Sequence, residues 1–299
     1  MGKHKSLITL FLFILFAAAG CLLGFRPHGT PPPAAEGLPD NLPASGTISP
    51  ENYNVGEEIS EEARKRYLES KKFRYWLEDS ITKDFLMGKI NRSTHHLFAK
   101  LTEEHTERNI YLLKPVYEAY IKMYEAALTD GVRLIVTSGH RTFVEQVCEW
   151  ELRWNNPRTE YSFADETEKA RFVLQYRSMP GTSRHHWGTD IDLNSFNLSY
   201  FETAEGEKLY NWLSANAHLY GFFQPYTVQD ENRPKGYCEE KWHWSYRPVA
   251  RPMLEHYLRK VGKEDITGFK GDRAAGHLSI IKEWVCGIDQ KLIGNHTPD

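Results

Sequence analysis

Apolar and polar positions divide the 299-residue chain into three regimes. Lys3 and Lys5 precede an apolar run that begins at Leu7 and gives way to Ala18, Ala19, Gly20 and Cys21. Residues 22–55 have no apolar period and are interrupted by Pro27, Pro31, Pro32, Pro33, Pro39, Pro43 and Pro50. From residue 56 onward, helical and strand periods alternate. Ser60 with Glu61 and Glu62 reads as an N-cap and acidic first turn, predicting a helix over 60–78 with Leu68, Phe73, Trp76 and Leu77 on its apolar face. A short helix is expected near 85–90. Val116, Tyr120, Met123, Tyr124 and Leu128 recur at three- and four-residue steps and predict a helix over 111–129, ended by Asp130-Gly131. The β-branched stretch 132–137 predicts a buried strand. Further helices are expected over 143–154, 166–177, 203–220, 251–261 and 275–292, and Asp190-Ile191-Asp192-Leu193 alternates as a half-buried strand does.

Composition narrows the class. Hydrophobic residues make up 40% and charged residues 26%, ordinary values for a globular domain, and a net charge of -3 gives no reason to expect nucleic acid. The N-terminal 21 residues have the charged, apolar and small-residue parts of an export signal. Ala18-Ala19-Gly20-Cys21 resembles a bacterial lipobox, with Ala18 where Leu is usual. The alternative is an uncleaved anchor over residues 7–25, just long enough to span a bilayer. Both place the rest of the chain outside the cytoplasm, tethered to the membrane by a lipid at Cys21 or by the anchor. Residues 22–55 read as a solvated linker, and 56–299 as one domain with added N- and C-terminal helices. Cys148, Cys238 and Cys286 then allow at most one disulfide among themselves.

Chemistry concentrates in two stretches. Residues 181–193, GTSRHHWGTDIDL, place His185, His186, Asp190 and Asp192 on a Gly-punctuated turn and the strand after it. Residues 239–244, EEKWHW, carry Glu240 and His243. Imidazole and carboxylate are the ligand types of catalytic zinc. On a regular strand Glu240 and His243 would face opposite sides, so a bend is needed to bring both to one ion. His95, His96 and His105 lack ligand-spaced neighbours and read as surface histidines, and His218 reads as a core or surface histidine.

The first stretch matches Ser-x-His-x-x-Gly-x-Ala-x-Asp and the second Glu-x-x-His with Trp before His. In this order they resemble the zinc D,D-carboxypeptidases of the VanY/VanX type, in the wider group that includes lysostaphin-type enzymes and the hedgehog signalling domain. Residues 138–146, SGHRTFVEQ, and 212–222 continue the likeness, with His140 at a usual Tyr position, read as pocket wall. The resemblance spans about 132–257. It implies an α+β fold in which several helices pack a small antiparallel sheet carrying one zinc ion. It implies His185, Asp192 and His243 as ligands, Glu240 as catalytic base, and Arg141, with Gln146 and Ser183, at the substrate. The start of the helix after residue 142 is expected to add free N–H groups to that anion site. The implied reaction is release of terminal D-Ala from peptidoglycan stem peptides. Endopeptidase or L,D-carboxypeptidase activity on the same fold, and a non-catalytic zinc-stabilised binding domain, are the rival readings. Asp190 replaces the family's Ala; sharing a strand face with Asp192, it stands either as a competing ligand or behind one. Oligomeric state leaves no mark on the sequence.

Overall fold

The computed structural model describes residues 80–156 and 163–293. The N-terminal signal, the linker and the helix expected over 60–78 lie outside the described residues. Two antiparallel sheets form. In the smaller, β1 (Phe98–Lys100) pairs with β2 (Tyr111–Leu113). The larger joins β3 (Val136–Ser138), β4 (Asp190–Leu193), β6 (His243–Tyr246) and β5 (Phe222–Phe223) in that spatial order. Around them stand α1 (Lys83–Leu86), α2 (Lys114–Thr129), α3 (Phe143–Trp154), α4 (Glu166–Leu174), α5 (Ala204–Asn216), α6 (Arg247–Lys260) and α7 (Gln290–Ile293). The α+β class implied by the resemblance is the class observed.

Several elements depart from the periodicity for identifiable reasons. The helix expected from residue 111 begins at Lys114, with Pro115 in its first turn. Proline is pre-set for that position, and Tyr111–Leu113 are released to pair with β1. The strand expected over 132–137 forms only at its end. Leu134 O accepts from Tyr120 Oη at 2.7 Å, and Ile135 N donates to the Asn194 side chain at 3.1 Å. Side chains there take hydrogen bonds that a sheet ladder would otherwise use. The helix expected over 275–292 is broken into a 3₁₀ turn (Asp272–Gly276), a π-helical turn (Ile280–Val285) and α7. Gly287 lies at one break, where a Cβ would meet Gly236 Cα at 2.6 Å, and Asp289 N donates to Pro225 O at 2.8 Å. Tertiary backbone contacts thus override the apolar stripe.

Trp150 and Trp154 of α3 pack with Ala170, Val173 and Leu174 of α4 and with Phe269, Leu278 and Ile280. The Trp150 indole donates to Lys270 O at 2.8 Å, satisfying its buried N–H. His105, expected to be a surface histidine, is buried: its Nδ1 lies 2.9 Å from Tyr117 Oη and its ring stands edge-on to Tyr124. His96 and His218 are exposed as expected. Cys148 and Cys286 are free thiols, so no bridge joins any two of Cys148, Cys238 and Cys286. Among the described residues no helix is long and apolar enough to cross a membrane.

Candidate active site

The site is built on one face of the larger sheet. Asp190 and Asp192 are two residues apart on β4 and therefore share a face. Antiparallel register sets Asp192 opposite His243 on β6 and opposite Ser138 on β3, and sets Asp190 opposite Ser245. All four residues of β4 are buried. Ile191 and Trp244, paired across the strands, take the opposite, apolar face.

His185 comes from the 3₁₀ turn Arg184–Trp187 that leads into β4. The turn closes at Gly188, whose φ of +68° suits glycine, and a Cβ there would meet Phe98 Cε1 at 2.6 Å. The turn is laced to residues 139–141. His185 Nδ1 donates to Gly139 O at 2.8 Å, Arg141 N donates to His185 O at 3.1 Å, and His186 Nδ1 donates to Arg141 O at 2.7 Å. His186 Nε2 accepts from Gly181 N at 3.0 Å. With one nitrogen donating and the other accepting, His186 is a neutral brace and no ligand. Burial is the main reason its pKa falls to about 3. His185 Nε2 lies 3.2 Å from Asp192 Oδ2.

The third member arrives through the bend that a regular strand lacks. β6 starts only at His243, and His243 N donates to Glu240 O at 3.1 Å across a turn. Glu240 is thereby folded back, with Oε2 2.9 Å from His243 Nδ1. The same Nδ1 lies 3.4 Å from Asp192 Oδ1, while His243 Nε2 donates to Asp190 Oδ2 at 3.0 Å. Burial pulls the His243 pKa down, but Asp192, Asp190 and Glu240 outweigh it and raise the pKa to about 10. Burial likewise opposes ionisation of Asp192, and the two histidines nonetheless hold its carboxyl below the usual range.

Ligand atoms of His185, Asp192 and His243 all lie within 4.8 Å of one another. Asp192 Oδ1 is buried and has no hydrogen-bond partner among the described residues. A buried carboxylate oxygen left open beside two imidazole nitrogens fits a divalent cation with nitrogen and oxygen ligands. The three residues named from the sequence are the three brought together. Asp190 is not a fourth: Oδ1 accepts from Thr189 Oγ1 (2.6 Å) and Ser245 Oγ (2.8 Å), and Oδ2 from Arg184 Nε (2.9 Å) and His243 Nε2 (3.0 Å).

Arg141 stands beside the cluster, close enough for its charge to help lower the Asp192 pKa. Among the described residues it makes no ion pair. Gln146 Oε1 accepts from its Nη1 at 2.9 Å, and Ser138 Oγ accepts from its Nη2 at 3.2 Å. Gln146 is fully buried, and its amide nitrogen is spent on Ser178 O at 2.8 Å. Both ends of the Gln146 amide, expected at the substrate, are engaged within the protein, and its oxygen braces Arg141. Ser183, also expected at the substrate, is buried at the start of the His185 turn. The free N–H groups expected at the start of α3 are corrected too. Thr142 and Glu145 close a capping box, Phe143 N donates to Gly88 O, and Arg92 clamps Glu145 through two 2.7 Å contacts. His140 is buried edge-on to Phe98, and neither ring nitrogen finds a partner among the described residues.

Sequence reasoning missed the supports. Arg233, buried in the polar loop before Glu240, donates to the carbonyls of Thr227, Lys235 and Tyr237. Gln224 Nε2 donates to Tyr226 O and Glu240 O, and the Tyr226 ring stands edge-on to His243 at 4.9 Å. Ser245 was findable, being two residues from His243 on one strand face. Nothing local marks Arg184 or Arg233.

Comparison with known proteins places these elements. Residues 109–249 match the family model described as VanY, D-alanyl-D-alanine carboxypeptidase. A D-alanyl-D-alanine carboxypeptidase of Enterococcus faecalis is 30% identical over 131 residues, 42% of this chain and 44% of that protein. The Bacillus subtilis protein YodJ is 30% identical over 167 residues, 51% of this chain and 55% of that protein. The chain thus spans about half the length of these curated relatives. A crystal structure of the vancomycin-resistance D,D-pentapeptidase VanY, a mutant in complex with Zn(II), aligns at 20% identity and a TM-score of 0.42, covering 62% of this chain and 92% of that one. The segment that matches this family model contains β3, β4, β6, Arg141 and every residue of the cluster.

Proposed function

We propose that this protein is a zinc-dependent D-alanyl-D-alanine carboxypeptidase that trims terminal D-Ala from peptidoglycan stem peptides outside the cytoplasm. The observation that carries this reading is the convergence of His185, Asp192 and His243 within 4.8 Å, with Glu240 beside them. His185 Nε2, an Asp192 oxygen and His243 Nδ1 would hold the ion. Three protein ligands are the pattern of catalytic zinc, whereas structural sites close with four. Bound there, zinc supplies Lewis acidity, polarising a scissile carbonyl and acidifying water. Glu240, whose side chain is 24% exposed, takes a proton from water and returns it to the leaving amine. Arg141, which makes no ion pair among the described residues, offers its fork to the free C-terminal carboxylate of the substrate or to the oxyanion. Gln146 and Ser138 hold that fork in place. The similarity to the E. faecalis carboxypeptidase supports the substrate class. A non-catalytic zinc-stabilised domain has no use for Glu240 and Arg141 so disposed. Membrane tethering at Cys21 rests on the lipobox-like sequence; Cys21→Ser should move the protein from the membrane to the soluble fraction.

The test is Glu240→Gln assayed on a D-Ala-D-Ala-ended pentapeptide. Zinc content stays stoichiometric while D-Ala release drops by about 10²–10⁴-fold. Undiminished release removes Glu240 as base. Product masses from purified muropeptides separate loss of one D-Ala from cross-link cleavage or L,D-bond cleavage.

A further inference from the structure

We propose that Asp190 is a positioning residue for the metal: it holds His243 in the tautomer that turns Nδ1 toward the cation, and Arg184, Ser245 and Thr189 hold Asp190. This inference rests on the zinc reading above. A carboxylate only accepts, so the 3.0 Å contact to Asp190 Oδ2 fixes a proton on His243 Nε2, and the 2.9 Å contact to Glu240 Oε2 places one on Nδ1 in the metal-free site. A cation held beside Asp192 would take the place of the Nδ1 proton, while Asp190 keeps the one on Nε2. Metal-ligating histidines are commonly oriented in this way by an acceptor on the other nitrogen. His185 is oriented likewise, by Gly139 O. The motif that the first stretch resembles has Ala where this chain has Asp190.

The surroundings exclude the other role open to Asp190. Both oxygens are saturated by the four donors already described, and the carboxylate has no exposed surface. One donor is the Arg184 guanidinium, 1% exposed and 2.9 Å away, a fixed positive charge that opposes a second cation. Arg184 is itself pinned: Nη2 donates to Ser245 Oγ at 2.7 Å, and the guanidinium lies 4.8 Å from the centre of the Trp187 ring. The network cross-links the His185 turn to β4 and β6, tying both imidazole ligands to one scaffold.

Asp190→Asn tests the tautomer, because an amide nitrogen placed toward Nε2 asks that atom to accept. Arg184→Met/Asp190→Ala removes both charges at once and leaves no buried unpaired ion. Chelator competition should report zinc bound about 10–100-fold more weakly by both variants, a size typical of losing such an orienting partner. In zinc-loaded wild type, nitrogen-15 NMR of the imidazoles should find His243 metallated at Nδ1 and protonated at Nε2. That measurement needs no variant to fold. Zinc affinity in both folded variants within about two-fold of wild type, against that expectation, reduces Asp190 to a counter-ion for Arg184 and overturns the inference. So does metal on Nε2 of His243. Wild type that binds no zinc brings down the functional reading as well, which separates the two failures.

Discussion

Two carboxylates on one strand face meet opposite fates. Asp190 and Asp192 are both buried, both on β4, and both beside His243. Asp190 accepts four hydrogen bonds, one from a buried guanidinium. Asp192 faces two imidazoles and keeps one oxygen without a partner among the described residues. Satisfied polar groups hold a scaffold still, while unsatisfied ones are where a ligand is expected. The difference teaches that residue type and burial do not mark a metal ligand; the set of donors already committed to it does.

The largest effect that would break this comparison is at the open carboxylate. Asp192→Ala should abolish stoichiometric zinc, read by elemental analysis, and with it D-Ala release. Retained zinc would mean that Asp190 had taken over as ligand. Asp190→Ala alone should cost about 3–5 kcal/mol of stability in urea denaturation, because it strands the buried Arg184 charge. Adding Arg184→Met should return most of that loss. Arg141→Lys keeps the charge but loses the planar fork, and should lower kcat/KM by about 10²–10³-fold with zinc content unchanged. Ser245→Ala removes one of four donors to Asp190 and should cost only about 1 kcal/mol, with zinc affinity close to wild type. A loss as large as that of Asp190→Ala would show the network to be all-or-none rather than graded.

Much of the site was legible because its two motifs, in their order along the chain, resemble those of a known family. His185, Asp192, Glu240 and His243 stand at spacings that a turn, a strand and a bend bring together. Gln146 was legible as a site residue but not in its role, since whether an amide meets substrate or a neighbouring arginine depends on which side chain lies above it. The helix expected over 275–292 failed for the same kind of reason: its apolar stripe is real, but a Gly236–Gly287 backbone approach breaks it.

The linear chain by itself determined the turn at Gly188 and the alternation of β4, and its two motifs, through their family resemblance, implied the α+β class and the three candidate ligands. The turn and the alternation follow from backbone preferences and two-residue periodicity, which act within a few residues. Only the tertiary structure decided that Glu240 folds back onto His243, that Arg141 escapes an ion pair while the start of α3 is capped, and that Asp190 supports rather than binds. The fate of Asp190 depends in part on donors distant in sequence, as Ser245 meets it across 55 residues and His243 across 53. No local pattern encodes such pairings.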